Sequence, residues 1–164
     1  MVVSEWYGDL RVLYLIVQRD LPDVLACERL ASQTAWSRKD FLDAFKDRSV
    51  VALVVEHEGD VVGFMVYRLV PDSVLVLKLA VLPDYQRMKI GTLLMNQLIP
   101  KLSPQRPSLY MVPLEDNLPG VYFLLSLGFK ISHHKGEYLG EYTIQPEDIP
   151  RHRMTRYLAE AGLT

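Results

Sequence analysis

The sequence predicts a mixed α/β fold: a mostly antiparallel, seven-stranded sheet flanked by helices. Three observations carry this prediction. Two apolar runs, 50–57 and 61–70, flank Glu58-Gly59-Asp60 and read as an antiparallel hairpin. Residues 73–82 are almost continuously apolar, as in a strand covered on both faces. A helical segment then leads to another apolar run, 108–114, completing a βαβ unit behind the antiparallel strands.

Residues 11–17 (RVLYLIV) predict the first strand. Asp20 is suited to cap the first helix, with Pro22 in the first turn, where proline is tolerated. Leu21, Val24, Leu25 and Leu30 are its expected buried stripe. A second helix starts at Ser37, and Asp40 three residues on makes a variant of the capping box. Phe41, Leu42 and Phe45 then face the core. After the hairpin and the 73–82 strand, a helix is expected from about Gly91 to Leu102, followed by the strand 108–114. The next helix, from about Leu118 to Leu127, stops at Gly128. Residues 129–134 and 151–158 predict the last two strands, with a long polar loop, 135–150, between them. Loops of that length often carry function.

The 164 residues read as one domain, 1–164, with a core over about 11–158. Apolar residues make up 49% and charged residues 23%, as in a soluble globular protein. A net charge of −2 argues against a nonspecific nucleic-acid binder. Cys27 has no partner for an internal disulfide, which suits a reducing, cytoplasmic compartment. The N-terminus lacks the apolar core of a signal peptide. The longest apolar run, near 74–82, is interrupted by Lys78 and too short for a membrane span. A monomer or homodimer without membrane attachment is the expectation.

The most informative stretch is 77–95, LKLAVLPDYQRMKIGTLLM. An apolar strand meets a Pro-Asp turn, then a Gln-Arg-x-Lys-x-Gly-Thr loop that opens a helix. This layout aims unpartnered backbone N–H groups at one point, where a phosphate fits. A strand, a phosphate cradle and a helix in that order suggest a phosphorylated cofactor.

Gln86-Arg87-Met88-Lys89-Ile90-Gly91 resembles the Gln/Arg-x-x-Gly-x-Gly/Ala motif of the GNAT superfamily of acetyl-CoA-dependent N-acetyltransferases. Leu79-Ala80-Val81-Leu82-Pro83-Asp84-Tyr85 resembles the strand and turn that precede it. Asn117, followed by Leu127-Gly128-Phe129, is similar to the family's Asn…Leu-Gly-Phe helix. Trp36-Ser37 and Phe41 resemble the second helix of the ribosomal-protein N-terminal (alanine) acetyltransferase branch. The resemblance covers 11–158 and implies the acyl-CoA N-acyltransferase (GNAT) fold. It implies that backbone groups of Leu79, Ala80 and Val81 pair with the pantetheine arm of acetyl-CoA. It also implies that Gln86, Arg87, Met88, Lys89, Ile90, Gly91 and Thr92 hold the pyrophosphate, and that Asn117 bonds the pantetheine.

The pattern is broken in three places. Lys89 stands where the family has its first glycine, and Lys89→Ala is expected to weaken coenzyme A binding if the ammonium reaches a phosphate. By resemblance, Val112 occupies the position of the glutamate or histidine that deprotonates the amine. Leu124 occupies that of the tyrosine that protonates the departing thiolate, and Tyr122 lies on roughly the opposite helix face. An α-amine has a pKa of about 7.7–8.0, so roughly a tenth is neutral at pH 7. A lysine amine, at about 10.4, is neutral in about one molecule in a few thousand. A site without a base therefore suits an α-amine, or another weakly basic amine, better than a lysine amine.

The expected reaction is direct attack by the amine, without an acyl-enzyme, with a backbone N–H near Val81 polarising the carbonyl. The acceptor is expected between the first two helices and the 135–150 loop. Glu115 is a possible proton relay, or simply a favourable charge at a helix start beside Asp116. By resemblance, Tyr138 or Tyr142 contacts a peptide acceptor; the alternative is that they anchor the loop on the sheet. His133-His134 lie on opposite faces of a strand and no Cys/His cluster exists, so no metal is expected. Lys78 either snorkels to the sheet edge or lines the acceptor cleft. Arg151, Arg153 and Arg156 give the last strand one basic, solvated face. The alternatives to a protein N-terminal acceptor are a small-molecule amine and a coenzyme A-binding module with degenerate catalysis.

Overall fold

The structure, a computed structural model, describes residues 4–32, 34–113 and 117–145. The expected strand 151–158, its three arginines, residues 146–150 of the expected loop, and Glu115 and Asp116 lie outside the described residues. Among the described residues the sheet has eight strands rather than seven. These are β1 (Ser4–Tyr7), β2 (Leu10–Tyr14), β3 (Val50–His57), β4 (Asp60–Val70), β5 (Ser73–Val81), β6 (Ser108–Met111), β7 (Lys130–His134) and β8 (Glu137–Thr143). Hydrogen bonding links them in the order β1-β2-β3-β4-β5-β6-β8-β7. The helices are α1 (Val17–Ala31), α2 (Arg38–Phe45), α3 (Ile90–Asn96) and α4 (Leu118–Ser126). The chain groups into two compact units. One is built from the stretches up to Arg68 and Leu77–Met95, the other from Leu69–Val76 and from Asn96 onward.

In the first unit, β1 is an addition to the prediction. It pairs antiparallel with β2 across a two-residue turn led by Gly8, whose φ of 65° suits a glycine. Trp6 and Tyr7 are exposed, so β1 has no buried face to give the sequence a period. β2 ends at Tyr14, short of the expected Val17, because α1 begins at Val17 with Ile16 as its cap. Asp20 is therefore not the cap residue. It sits in the first turn and reaches back, its Oδ2 accepting from the Ile16 N–H at 2.8 Å while Arg19 pairs with Oδ1 at 2.7 Å. Pro22 lies inside the helix, where it leaves the Gln18 carbonyl without its usual donor. The expected stripe is right at Leu21, Val24 and Leu25 but not at Leu30, which is 69% exposed. Its place is taken by Cys27 and Glu28, both buried.

The capping box of α2 forms as expected. The Asp40 N–H donates to Ser37 Oγ at 3.2 Å, and the Ser37 N–H donates to Asp40 Oδ2 at 2.8 Å. Phe41 is fully buried, edge-on to Trp36 at 5.1 Å and to Phe64 at 5.7 Å. The β3–β4 turn is tighter than expected, with Glu58 and Gly59 both at positive φ. Val62 is an extra residue on β4, a bulge opposite the Val55–Glu56 step. Next to it, Gly63 leaves room for Ile90 and Ala80: a Cβ there would lie 3.0 Å from Ile90 Cγ2 and 3.1 Å from the Ala80 carbonyl oxygen. The helix expected over 91–102 is α3, Ile90–Asn96, followed by a separate 3₁₀ turn at Ile99–Lys101. Pro100 cannot donate to the Asn96 carbonyl and clashes with it, so the α-helix stops there.

In the second unit, β5 and β6 pair parallel from Ser73–Ser108 to Val76–Met111. The expected loop 135–150 is, through Thr143, a strand. Lys135 and Gly136, both at positive φ, turn β7 into β8, and β8 pairs antiparallel with both β7 and β6. Tyr138 and Tyr142 are therefore strand residues rather than loop residues. α4 ends as predicted at Gly128, with φ 90°: the Phe129 N–H bonds Leu124 O at 3.0 Å and the Gly128 N–H bonds Leu125 O at 3.0 Å. That double bond pattern is the Schellman stop.

Candidate active site

The site builds outward from the C-terminal half of β5. Successive backbone N–H groups of a strand point to opposite edges. The Leu82 N–H donates to Val62 O of β4 at 2.8 Å. The N–H and C=O of Val81, and of Leu79 two residues earlier, therefore point to the other edge. Pairing with β6 is not continued past Val76–Met111 among the described residues. Among the described residues, Leu79 and Val81 thus have no strand partner on this side, an open edge suited to an amide-rich ligand. Ala80 has the opposite direction, and its side chain is buried in the core with Val24, Phe41 and Phe64.

The motif loop is more ordered than an open loop. Pro83–Met88 form a 3₁₀ segment, so Gln86, Arg87 and Met88 lie on its last turn, exposed to solvent. Gln86 Nε2 reaches back to the Val81 carbonyl at 3.4 Å. Lys89 closes the segment in the left-handed region, φ 58° and ψ 32°, and its exposed side chain precedes α3. Ile90, Gly91 and Thr92 form the first turn of α3, where N–H groups have no helical partner. Ile90 itself is fully buried and fixes this turn against Gly63 and β5.

A chain of polar groups supports the loop from below, and the sequence reading missed it. Asp9 Oδ2 lies 2.9 Å from His57 Nε2, and His57 Nδ1 lies 3.4 Å from Tyr85 Oη. These residues come from the β1–β2 turn, the end of β3 and the 3₁₀ segment. Nothing in their spacing along the chain announces the contact.

In the second unit, Asn117 is the N-cap of α4: its Oδ1 accepts from the Gly120 N–H at 3.0 Å. Its side-chain NH₂ keeps donors for a ligand carbonyl. Val112 is 56% exposed just past β6. Leu124 is 1% exposed and packs toward Gly140 of β8, while Tyr122, on the far side of α4, is 66% exposed. Neither position offers an acid or a base. Tyr138 lies across from His133, ring centroids 4.8 Å apart. Burial and the neighbouring Glu28 push the Cys27 thiol up to about 12, so it is not a nucleophile.

Lys78 resolves its two expected roles by turning inward. Its Nζ lies 2.9 Å from Glu28 Oε2, 3.1 Å from Ser32 Oγ and 3.2 Å from the Thr34 carbonyl.

Comparison with known proteins shows the family and the fold. The profile of the acetyltransferase (GNAT) family matches residues 12–129. The [ribosomal protein bS18]-alanine N-acetyltransferase of Escherichia coli K12 is 29% identical over 111 residues, covering 67% of this chain and 74% of that protein. A crystal structure of the ribosomal-protein-S18-alanine N-acetyltransferase from Escherichia coli superposes with a TM-score of 0.69 at 23% identity, over 82% of this chain and 92% of that one. The PaiA N-acetyltransferase of Thermoplasma acidophilum, crystallised with coenzyme A, superposes with a TM-score of 0.68 at 16% identity, over 82% and 98% of the two chains. With its open strand edge, its motif turn and a profile match spanning most of its length, the chain belongs to the GNAT family and is an acetyl-CoA-dependent N-acetyltransferase.

Proposed function

We propose that the acceptor is a protein N-terminal α-amine, and that acetyl-CoA lies along the open edge of β5 with its diphosphate at the start of α3. Acetyl-CoA supplies an activated acetyl group when bound. The backbone of Leu79 and Val81 would hold its pantetheine arm, with the Val81 N–H as the oxyanion donor. The N–H groups of Ile90, Gly91 and Thr92 would hold phosphate oxygens, with Gln86, Arg87, Met88 and Lys89 forming the approach. Asn117 would give an amide N–H to the pantetheine. Tyr138 and Glu115 are kept as acceptor-side residues on the strength of the family resemblance.

The observation that carries the acceptor reading is chemical. Val112 and Leu124 leave the usual base and acid positions apolar. Without a base, the accessible nucleophile is the one already neutral near pH 7, and an α-amine exceeds a lysine amine in neutral fraction by about two orders of magnitude. The similarity to the bS18-alanine enzyme, which acts on an alanine of a ribosomal protein, supports the same reading. A polyamine acceptor would want unpaired acidic groups. The buried carboxylate next to β5, Glu28, is already paired with Lys78. A cytoplasmic setting is part of the proposal, since the free thiol of Cys27 suits a reducing compartment.

The test is coenzyme A release over three acceptors: a peptide beginning with alanine, an N-blocked peptide with an internal lysine, and spermidine. Mass analysis of each product identifies the modified nitrogen. The alanine peptide should be acetylated on its α-nitrogen at least tenfold faster than the others. Preferred acetylation of the lysine or of spermidine would overturn the acceptor assignment.

A further inference from the structure

Glu28 is a buried acid in line with the apolar positions Leu21, Val24 and Leu25 of α1, seven residues after Leu21. Its Oε2 takes a hydrogen bond from the Trp36 N–H at 3.0 Å as well as the Lys78 ion pair at 2.9 Å. Its Oε1 is buried without a hydrogen-bond partner among the described residues. Lys78 is itself mostly buried, and besides Glu28 it binds Ser32 Oγ and the Thr34 carbonyl, with its Nζ 5.7 Å from the centre of the Trp36 ring. One ion pair therefore ties Ser32, Thr34 and Trp36, in the connection between α1 and α2, to β5. The tie lies one residue before Leu79.

A buried ion pair is a poor source of net stability, since an apolar pair of similar volume is often as stable or more so. What this one supplies is a fixed position for the connection. The faces of β5 say what that position is for. The Val81 and Ile90 side chains both border Gly63, so the start of α3 lies on that face. The Ala80 side chain is buried with residues of α1 and α2, and Lys78 shares its direction. If the cofactor occupies the open edge and the α3 turn, the acceptor is left the α1–α2 side.

We infer that Lys78 and Glu28 are positioning residues for the acceptor, a charge-neutral clamp that fixes the wall formed by Ser32, Thr34 and Trp36 against β5. This rests on the cofactor placement proposed above.

The double variant Glu28→Leu/Lys78→Met removes both charges while keeping an apolar fill, so it should fold and melt close to the wild type. In the full chain, the Trp36 amide should exchange with deuterium at least tenfold faster, having lost its buried acceptor. The KM for an alanine-initiated peptide should rise about tenfold, with the KM for acetyl-CoA within about twofold of wild type. If the double variant does not fold, Glu28→Gln, which keeps an acceptor for the Trp36 N–H, is read in the same way, with a smaller rise in peptide KM expected. Unchanged Trp36 exchange, an unchanged peptide KM, or parallel rises in both KM values would overturn the inference. A wild type that leaves the peptide unmodified would count against the α-amine reading alone. The same KM comparison is then made with spermidine or the lysine peptide, whichever the wild type acetylates.

Discussion

Lys89 shows how much one residue can report. It stands where the family motif has glycine, and its φ of 58° explains the glycine: the backbone turns left-handed there to start α3. A non-glycine residue in that region costs about 1–2 kcal/mol. Glycine costs about 0.5–1 kcal/mol more than alanine in lost chain entropy on folding. The strain exceeds the entropy, so Lys89→Gly should stabilise the protein by roughly 0.5–1 kcal/mol. If the ammonium also meets a phosphate, the same variant should bind acetyl-CoA several-fold more weakly in a calorimetric titration. A lower melting temperature would refute the strain argument, and unchanged affinity would make Lys89 a solvated lysine. The departure from glycine was legible in the sequence. That Lys89 actually adopts the glycine conformation was not, because sequence shows only that a lysine stands there. Cys27 was legible in the sequence as a thiol without a disulfide partner, and the structure adds its burial on the α1 stripe. The role of Glu28 was not legible, since an acid on that stripe has no partner visible nearby in the chain.

At the scale of elements, most of what the sequence displayed locally survived. The α2 capping box, the β3–β4 hairpin and the Gly128 stop are set by contacts within a few residues, and each formed. Errors fell where distant contacts decide. Asp20 has the chemistry of a cap, but it works from inside α1 by reaching back to Ile16. β8 was hidden in a polar stretch because its tyrosines and its Gly140 pack against β6, β7 and α4, not in a continuous apolar run. The open edge of β5 and the α3 turn are joined by another element contact, at Gly63. Gly63→Ala would drive a methyl group against the buried Ile90 side chain and the Ala80 carbonyl. Overpacking of this kind costs about 1–3 kcal/mol. The melting temperature should fall by several degrees, and acetyl-CoA affinity should fall with it as α3 shifts. A variant with unchanged affinity would show that the α3 turn does not set cofactor binding.

For the molecule as a whole, the two halves of the functional argument come from different kinds of information. The motif and its surroundings identify the family, and the profile match over 12–129 bears this out. The proposed acceptor rests on what the chain lacks at Val112 and Leu124, read through the intrinsic acidity of amines. No helix among the described residues is long and apolar enough to cross a membrane. The near-balanced charge, 18 basic against 20 acidic residues, gives no strong field to select an acceptor by sign. Acceptor choice then rests on the amine's own protonation and on the walls around it. The most direct test of that claim is the pH dependence of kcat/KM for an alanine-initiated peptide, measured from pH 6 to 9.5. With no side-chain base, the rate should rise about tenfold per pH unit and level off near the amine's own pKa, about 7.7–8.0. A plateau reached already near pH 6.5 would reveal a general base in the protein and contradict the account.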